Sequence, residues 1–281
     1  MIRKVNSKEI TNLVEKLSIQ ANYVLTDDIR QGLTVGMEKE KSPLGKDILS
    51  TLIENADIAQ NEKCPMCQDT GLTVVFVEIG QDVHVEGGSI EEAINEGVRR
   101  GYEKGYLRKS VVNDPIRREN TGDNTPAVIY YEIVPGDSFK ITVAPKGFGS
   151  ENMSQLKMLK PSEGVEGIKE FVIKTVSDAG SNPCPPIIVG IGIGGSMDKS
   201  ALLSKKALLI PLDKKNDDPI LAQLEEELLE SINSLGIGPA GFGGTTTALA
   251  VKINTFATHI AGLPVSVNIG CHATRHAEGN L

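Results

Sequence analysis

The sequence is short of several things. Tryptophan is absent, aromatic residues make up only 4% of the chain, and four cysteines are spread over 281 residues. Thiols this sparse do not form a disulfide framework; they read as metal ligands or spectators in a reducing compartment. No basic stretch offsets the formal charge of −8, which argues against broad nucleic-acid binding. A small dianionic substrate would need cations placed locally. No apolar run approaches the roughly 18 residues of a membrane span, and Met1-Ile2-Arg3-Lys4 opens without the apolar region of a secretory signal. The expectation is a cytoplasmic protein with neither a membrane nor a nucleic-acid partner. Repeats, low-complexity tracts and disordered linkers are missing too, so the length points to one large domain or two closely packed lobes.

What the chain has in quantity is glycine, 29 residues, many of them in its second half. Many tight backbone approaches are expected there. The first 60 residues read as helices. Asn6 with Glu9 is an N-cap signal ahead of Ile10, Leu13, Val14 and Leu17. A second helix starts near Asp27, and a third follows Ser42-Pro43 with Ile48, Leu49, Leu52, Ile53 and Ala56 on one face. This stretch carries no obvious chemistry and reads as scaffold.

Beyond it, 72–79 reads as a strand, and Ser89 with Glu92 caps a helix to about residue 106. Segments 127–134 and 139–144 are β-rich, and Pro135-Gly136-Asp137-Ser138 between them signals a hairpin. Helices are expected over 162–179, 196–209 and 219–235, and strands over 187–193, 246–253 and 264–269. The fold class is therefore α/β (mixed α+β), an N-terminal helical segment followed by mixed sheets flanked by helices. Residues 1–281 form a single domain on this reading, 1–60 its scaffold and 61–281 the region bearing chemistry, with a lobe boundary near residue 161.

Gly190-Ile191-Gly192-Ile193-Gly194-Gly195 satisfies G-x-G-x-x-G between an expected strand and an expected helix. Asp213 stands where a ribose-binding acid would fall. A nicotinamide-dependent oxidoreductase is one reading. Against it, Pro211 breaks the would-be second strand, and few strands remain for a doubly wound sheet.

The densest chemistry lies in Cys64-Pro65-Met66-Cys67-Gln68-Asp69-Thr70-Gly71. Cys64 and Cys67 have C-x-x-C spacing, but no second short-spaced pair completes a closed zinc site. Strand, rather than helix, follows, unlike a thioredoxin motif. Cys184 in Pro183-Cys184-Pro185-Pro186 and Cys271 in Gly270-Cys271-His272 fall at turns or strand edges, as Cys67 does. The residues leave two alternatives open, a three-cysteine metal site and unrelated thiols. Three thiolates would leave one iron of a four-iron cluster with an open position, suited to a substrate rather than to electron transfer.

Several long segments resemble class I fumarate hydratases, the iron–sulfur family that includes L(+)-tartrate dehydratase. They are Cys67-Gln68-Asp69-Thr70-Gly71, Leu107-Arg108, Asn120-Thr121-Gly122-Asp123-Asn124-Thr125-Pro126-Ala127 and Lys146-Gly147-Phe148-Gly149-Ser150-Glu151-Asn152. Gly238-Pro239-Ala240-Gly241-Phe242-Gly243-Gly244-Thr245-Thr246, Thr258-His259-Ile260-Ala261-Gly262-Leu263-Pro264 and Cys271-His272-Ala273-Thr274-Arg275-His276 complete the set, in the family's order.

The resemblance implies a hydro-lyase that most readily interconverts (S)-malate and fumarate, with L(+)-tartrate dehydration as the alternative within the family. It implies that Cys67, Cys184 and Cys271 bind a [4Fe-4S] cluster, with Cys64 as an extra thiol. Gln68, Asp69, Arg108, Gly147 and Gly149 then match substrate-binding positions, and His259 and Asp69 match catalytic ones. Fused relatives continue into a further domain, so the chain is expected to be an α subunit in an α2β2 assembly. Its β subunit would supply the catalytic base. Plainer readings exist for some of these residues: Asp69 as a turn cap and Arg108 as a charge complementing a helix C-terminus. Phe148 stands where a glycine is expected.

Overall fold

The computed structural model describes residues 2–281. In chain order it comprises β1 (Arg3–Asn6), α1 (Ser7–Tyr23), α2 (Asp27–Lys39), α3 (Pro43–Glu62), β2 (Leu72–Gly80), β3 (Val83–Glu86) and α4 (Ile90–Lys104). Then come β4 (Val128–Val134), β5 (Phe139–Lys146), the single turn α5 (Phe148–Glu151), β6 (Gln155–Leu159), α6 (Gly164–Ala179) and β7 (Ile187–Gly194). The chain finishes with α7 (Met197–Ala207), α8 (Pro219–Asn233), β8 (Ala248–Phe256), β9 (Leu263–Gly270) and β10 (Ala277–Asn280). Helix and sheet are mixed throughout, as the pattern of the sequence requires. The elements fall into two compact units, each built from separated segments.

The first unit comprises Met1–Thr26, Asn55–Phe148 and Arg275–Leu281. Its four-stranded sheet runs β10-β5-β2-β4, and a parallel pair, β1 with β3, lies apart from it. The expected cap of α1 is formed: Asn6 Oδ1 accepts the Lys8 N–H at 3.0 Å, and Glu9 accepts the Asn6 N–H at 3.0 Å. Spacing at helical intervals then puts Ile10, Val14, Leu17 and Ala21 on one buried face. They pack with Ile94, Val98 and Tyr102 of α4 and with the inward set Val75, Val77, Phe139, Ile141 and Val143 of the sheet.

The second unit comprises Asp27–Glu54 and Gly149–Thr274. Its sheet runs β6-β9-β7-β8, with β7 parallel to β8 and antiparallel to β9. Strand alternation divides β7 into two faces. Ile187, Val189 and Ile191 join a core with Val172 and Val176 of α6 and with Leu224, Leu228 and Ile232 of α8. On the opposite face Gly190 and Gly192 lie under α7. A Cβ on Gly190 would stand 2.3 Å from the Ser204 carbonyl oxygen, and one on Gly192 would stand 2.0 Å from that of Ser200. Ser204 and Ser266 share a hydrogen bond across this layer at 3.0 Å.

That packing replaces the dinucleotide reading. Gly190 and Gly192 are strand residues that admit a close helix, and only Gly194 and Gly195, with positive φ, begin the turn. The stretch leading to Asp213 is turn rather than strand. The hairpin reading is corrected as well. β4 and β5 do not pair with each other; each pairs with β2, β4 in parallel and β5 in antiparallel register. The Pro135–Ser138 turn therefore steps over the end of β2, where the Gly80 N–H donates to the Ser138 carbonyl at 2.7 Å and the Asp82 N–H to that of Gly136 at 2.9 Å. Among the described residues, no helix is long and apolar enough to cross a membrane.

Candidate active site

In the first unit the cysteine-bearing stretch is pinned on both sides of Cys67 and Gln68. Before them, the Met66 N–H donates to the Asn22 carbonyl at 3.0 Å and its carbonyl accepts from Asn55 Nδ2 at 2.8 Å. After them, the Asp69 carbonyl accepts from Arg275 Nη2 at 2.6 Å, and those of Thr70 and Gly71 accept from the Tyr102 hydroxyl at 2.7 and 3.1 Å. Burial pushes the Tyr102 phenol up to about 12, so it remains a proton donor at any ordinary pH. Arg275 is itself buried, and its Nε donates to Asn22 Oδ1 at 3.2 Å. One guanidinium thus links Asn22, whose carbonyl holds Met66, to Asp69.

Asp69 uses both carboxylate oxygens on backbone. Oδ1 accepts the Gly71 N–H at 3.0 Å and Oδ2 accepts the Phe148 N–H at 2.8 Å. Gly147 is held beside it, since a Cβ there would lie 3.2 Å from Oδ2. Gly71, at φ +79, is a required glycine, because a Cβ would stand 2.7 Å from the Lys146 backbone nitrogen.

Arg108 belongs to the same neighbourhood through its main chain, whose carbonyl accepts from Thr70 Oγ1 at 2.9 Å. Its side chain is exposed, and among the described residues its guanidinium makes no hydrogen bond or ion pair. The Asn120–Ala127 motif holds the loop that follows. Asn120 Nδ2 donates to the Lys109 carbonyl at 2.9 Å; the Ser110 N–H donates to Asn124 Oδ1 at 2.7 Å. Asn124 is fully buried and also donates to the Gly71 carbonyl at 3.2 Å. Asp123 anchors the motif to α4 through Arg99 Nε at 2.9 Å. Burial raises the Asp123 carboxyl, but the Thr125 hydroxyl and N–H and the Arg99 guanidinium outweigh it and hold the group at about 2.

In the second unit, Cys184 and Cys271 are brought onto adjacent loops. The Cys184 carbonyl accepts from the His272 ring at 3.0 Å and from the His272 N–H at 3.4 Å. Cys184 is exposed at φ +55, and all four cysteines are thiols. Gly149 lies beside the Asn182 carbonyl, 3.5 Å from where its Cβ would be. Glu151 then ties α5 to β9 and α7, accepting from Asn268 Nδ2 at 3.0 Å and Lys205 Nζ at 2.6 Å.

His259 sits on the exposed loop after β8. Its Nδ1 accepts the Ala261 N–H at 3.2 Å, which leaves Nε2 as the protonated, donating nitrogen of the neutral ring. Thr258 ties that loop to the Gly195 carbonyl at 2.9 Å.

Among the described residues, no group of three or more His, Cys, Asp and Glu side chains is arranged to hold a metal ion. The donor chemistry of Cys184 and Cys271 nonetheless suits a soft metal or an iron–sulfur group. Clefts of about 240 and 200 Å³ border Lys214 and Lys215 and touch none of the site residues named above.

Two residues with far-reaching bonds escaped the reading of the sequence. Arg275 was visible only as part of a motif. Glu40, within the stretch read as scaffold, is 2% exposed and accepts N–H groups from Lys41, Ser42, Thr245 and Thr246. No local signal marks it, because its decisive partners are 205 residues away.

The family model described as "Fumarate hydratase (Fumerase)" matches residues 11–280. The "Putative L(+)-tartrate dehydratase subunit alpha" of Methanocaldococcus jannaschii is 46% identical over 275 residues, 96% of each chain. The "L(+)-tartrate dehydratase subunit alpha" of Escherichia coli strain K12 and that of Shigella sonnei are each 34% identical over 276 residues, 97% of this chain and 90% of theirs. A family match across nearly every element described above, joined to relatives this similar, settles membership: the chain belongs to the fumarate hydratase family of hydro-lyases and corresponds in extent to the α subunits within it.

Proposed function

We propose that this chain is the α subunit of a two-subunit L(+)-tartrate dehydratase, converting the 2,3-dihydroxy dicarboxylate to oxaloacetate and water. The likeness to L(+)-tartrate dehydratase α subunits over 96–97% of the chain carries the reading. It moves the weight from malate, favoured by the sequence motifs, to tartrate. The malate–fumarate reaction stays as a second reading because the matching family model bears the name fumarate hydratase.

Cys67, Cys184 and Cys271 are the ligands of a [4Fe-4S] cluster in this proposal. Such a cluster, bound by three thiolates, supplies a Lewis acid for a substrate hydroxyl and carboxylate. The thiol chemistry fits, and the His272–Cys184 bonds set two of the three ligands on neighbouring loops.

The chain's own residues then bind and orient. Arg108, with no partner for its guanidinium among the described residues, is suited to grip a carboxylate bidentately. Gln68, exposed between the two pinned points, supplies an amide that can donate and accept. Asp69 fixes Gly147 and Phe148 against the cysteine stretch, which positions that turn for the substrate. Gly147 and Gly149 bring backbone close to the ligand. His259 offers Nε2–H as a donor to an anion. Removal of the C3 proton falls to the β subunit, in an α2β2 cytoplasmic assembly.

The test is oxygen-free co-purification with the β subunit, followed by separate assays of oxaloacetate from L(+)-tartrate and fumarate from malate. A higher kcat/KM for tartrate is expected; a higher value for malate replaces the first reading with the second.

A further inference from the structure

Glu40 stands at the end of α2, in the stretch that reads as scaffold, yet its carboxylate is among the most heavily bonded in the chain. Oε1 accepts the N–H groups of Lys41 at 2.8 Å, Ser42 at 2.9 Å and Thr245 at 2.9 Å, with the Thr245 hydroxyl at 3.2 Å. Oε2 accepts those of Thr245 at 3.0 Å and Thr246 at 2.8 Å. A buried carboxylate costs free energy unless it is bonded in this way. The turn leaves room for it: a Cβ on Gly244 would stand 2.7 Å from Glu40 Oε1. Burial raises the Glu40 carboxyl, and the N–H groups of Ser42, Thr245 and Thr246 together bring it down to about 2, so it stays ionised.

The turn that Glu40 holds is itself a brace. The Gly238 N–H donates to Thr247 Oγ1 at 3.1 Å, and the Gly243 N–H to the Ile237 carbonyl at 2.8 Å, closing it on itself. Ala240, at φ +51, donates its N–H to the Pro185 carbonyl at 2.8 Å. Gly241 presses on the same loop, since a Cβ there would stand 2.3 Å from Ser181 Cβ. Ser181 in turn accepts the Cys184 N–H at 3.0 Å. The chain of contacts runs from Glu40 to 245–246, through 238–244, to 181–185.

We infer that Glu40 is the positioning residue of the Cys184 loop, acting through the 238–246 turn. Its importance for catalysis rests on the role proposed above for Cys184; the structural coupling does not, and can be measured on the metal-free protein. Without the carboxylate, the N–H groups of Thr245 and Thr246 lose their common acceptor, the turn loosens, and the Pro185 and Ser181 contacts loosen with it.

Amide hydrogen exchange on metal-free wild type and Glu40→Gln tests this. In the variant, exchange should quicken by about tenfold or more in both 238–246 and 181–185, with the amides of β7 and β9 unchanged. Alkylation of Cys184 by iodoacetamide, followed by mass spectrometry, should change rate while Cys64, an internal control, keeps its own. Should Glu40→Gln fail to fold, Thr245→Ala removes one hydroxyl and leaves the carboxylate; the same segments should then quicken by less. Faster exchange in 238–246 with 181–185 and the Cys184 rate unchanged overturns the inference, as does uniform loosening of the whole unit. Either result leaves the hydro-lyase reading intact, and failure of that reading leaves the exchange pattern intact.

Discussion

At the scale of single residues, bonding separates groups that hold the site from groups left open to a ligand. Asp69 spends both oxygens on backbone N–H groups, whereas the Arg108 guanidinium has no partner among the described residues. Asp69→Asn turns one acceptor into a donor facing an N–H, so chemical denaturation should show a loss of about 1–3 kcal/mol. Arg108→Lys keeps the charge but loses the planar fork; stability should hold while kcat/KM falls roughly tenfold, mainly through KM.

Glu40 contributes to the pH dependence, as does Asp123. The Glu40 carboxyl lies at about 2 against an ordinary 4.5, so its contribution is complete above about pH 4.5 and is lost as pH falls from there toward 2. That contribution is on the order of 3 kcal/mol. Denaturation midpoints should decline over this range more steeply for wild type than for Glu40→Gln. Cys67, Cys184 and Arg108 were singled out in the sequence by residue type and motif. Glu40 and Arg275 were not, because a buried charge declares itself only through its partners. For Glu40 these include Thr245 and Thr246, and for Arg275 they include Asn22 and Asp69.

At the scale of elements, periodicity located the helices and most strands, and the caps at Asn6 and Ser89 form as expected. Strand partners were not legible. A turn such as Pro135–Ser138 shows that the chain reverses, but not whether its flanking strands meet; here β2 lies between them. The short strands β1, β3, β6 and β10 carry too little alternation to be read, and their pairing supplies what local propensity does not. The glycine run shows the same limit, since a phosphate-binding loop and a helix-packing strand make the same pattern. Gly192→Ala sets a methyl against the Ser200 carbonyl and should cost about 1–3 kcal/mol or more. NADH fluorescence should stay unchanged on titration with the wild-type chain.

At the scale of the molecule, the two units draw on separated segments, with crossings at 26–27, 54–55, 148–149 and 274–275. The second of these falls within α3, where composition has no reason to change. Cys67 belongs to the first unit, and Cys184 and Cys271 belong to the second. Substrate choice was the least legible property, because malate and tartrate differ by one hydroxyl and call on the same carboxylate-binding residues.

On the proposed reading, these three thiols serve one hydro-lyase centre that acts on L(+)-tartrate. The most direct test is the rate of oxaloacetate formation from L(+)-tartrate by chain and β subunit co-purified without oxygen, in wild type and in four single Cys→Ser variants. Turnover is expected from wild type and Cys64→Ser, and its loss in Cys67→Ser, Cys184→Ser and Cys271→Ser. Wild-type turnover in any of those three, or loss in Cys64→Ser alone, would contradict it.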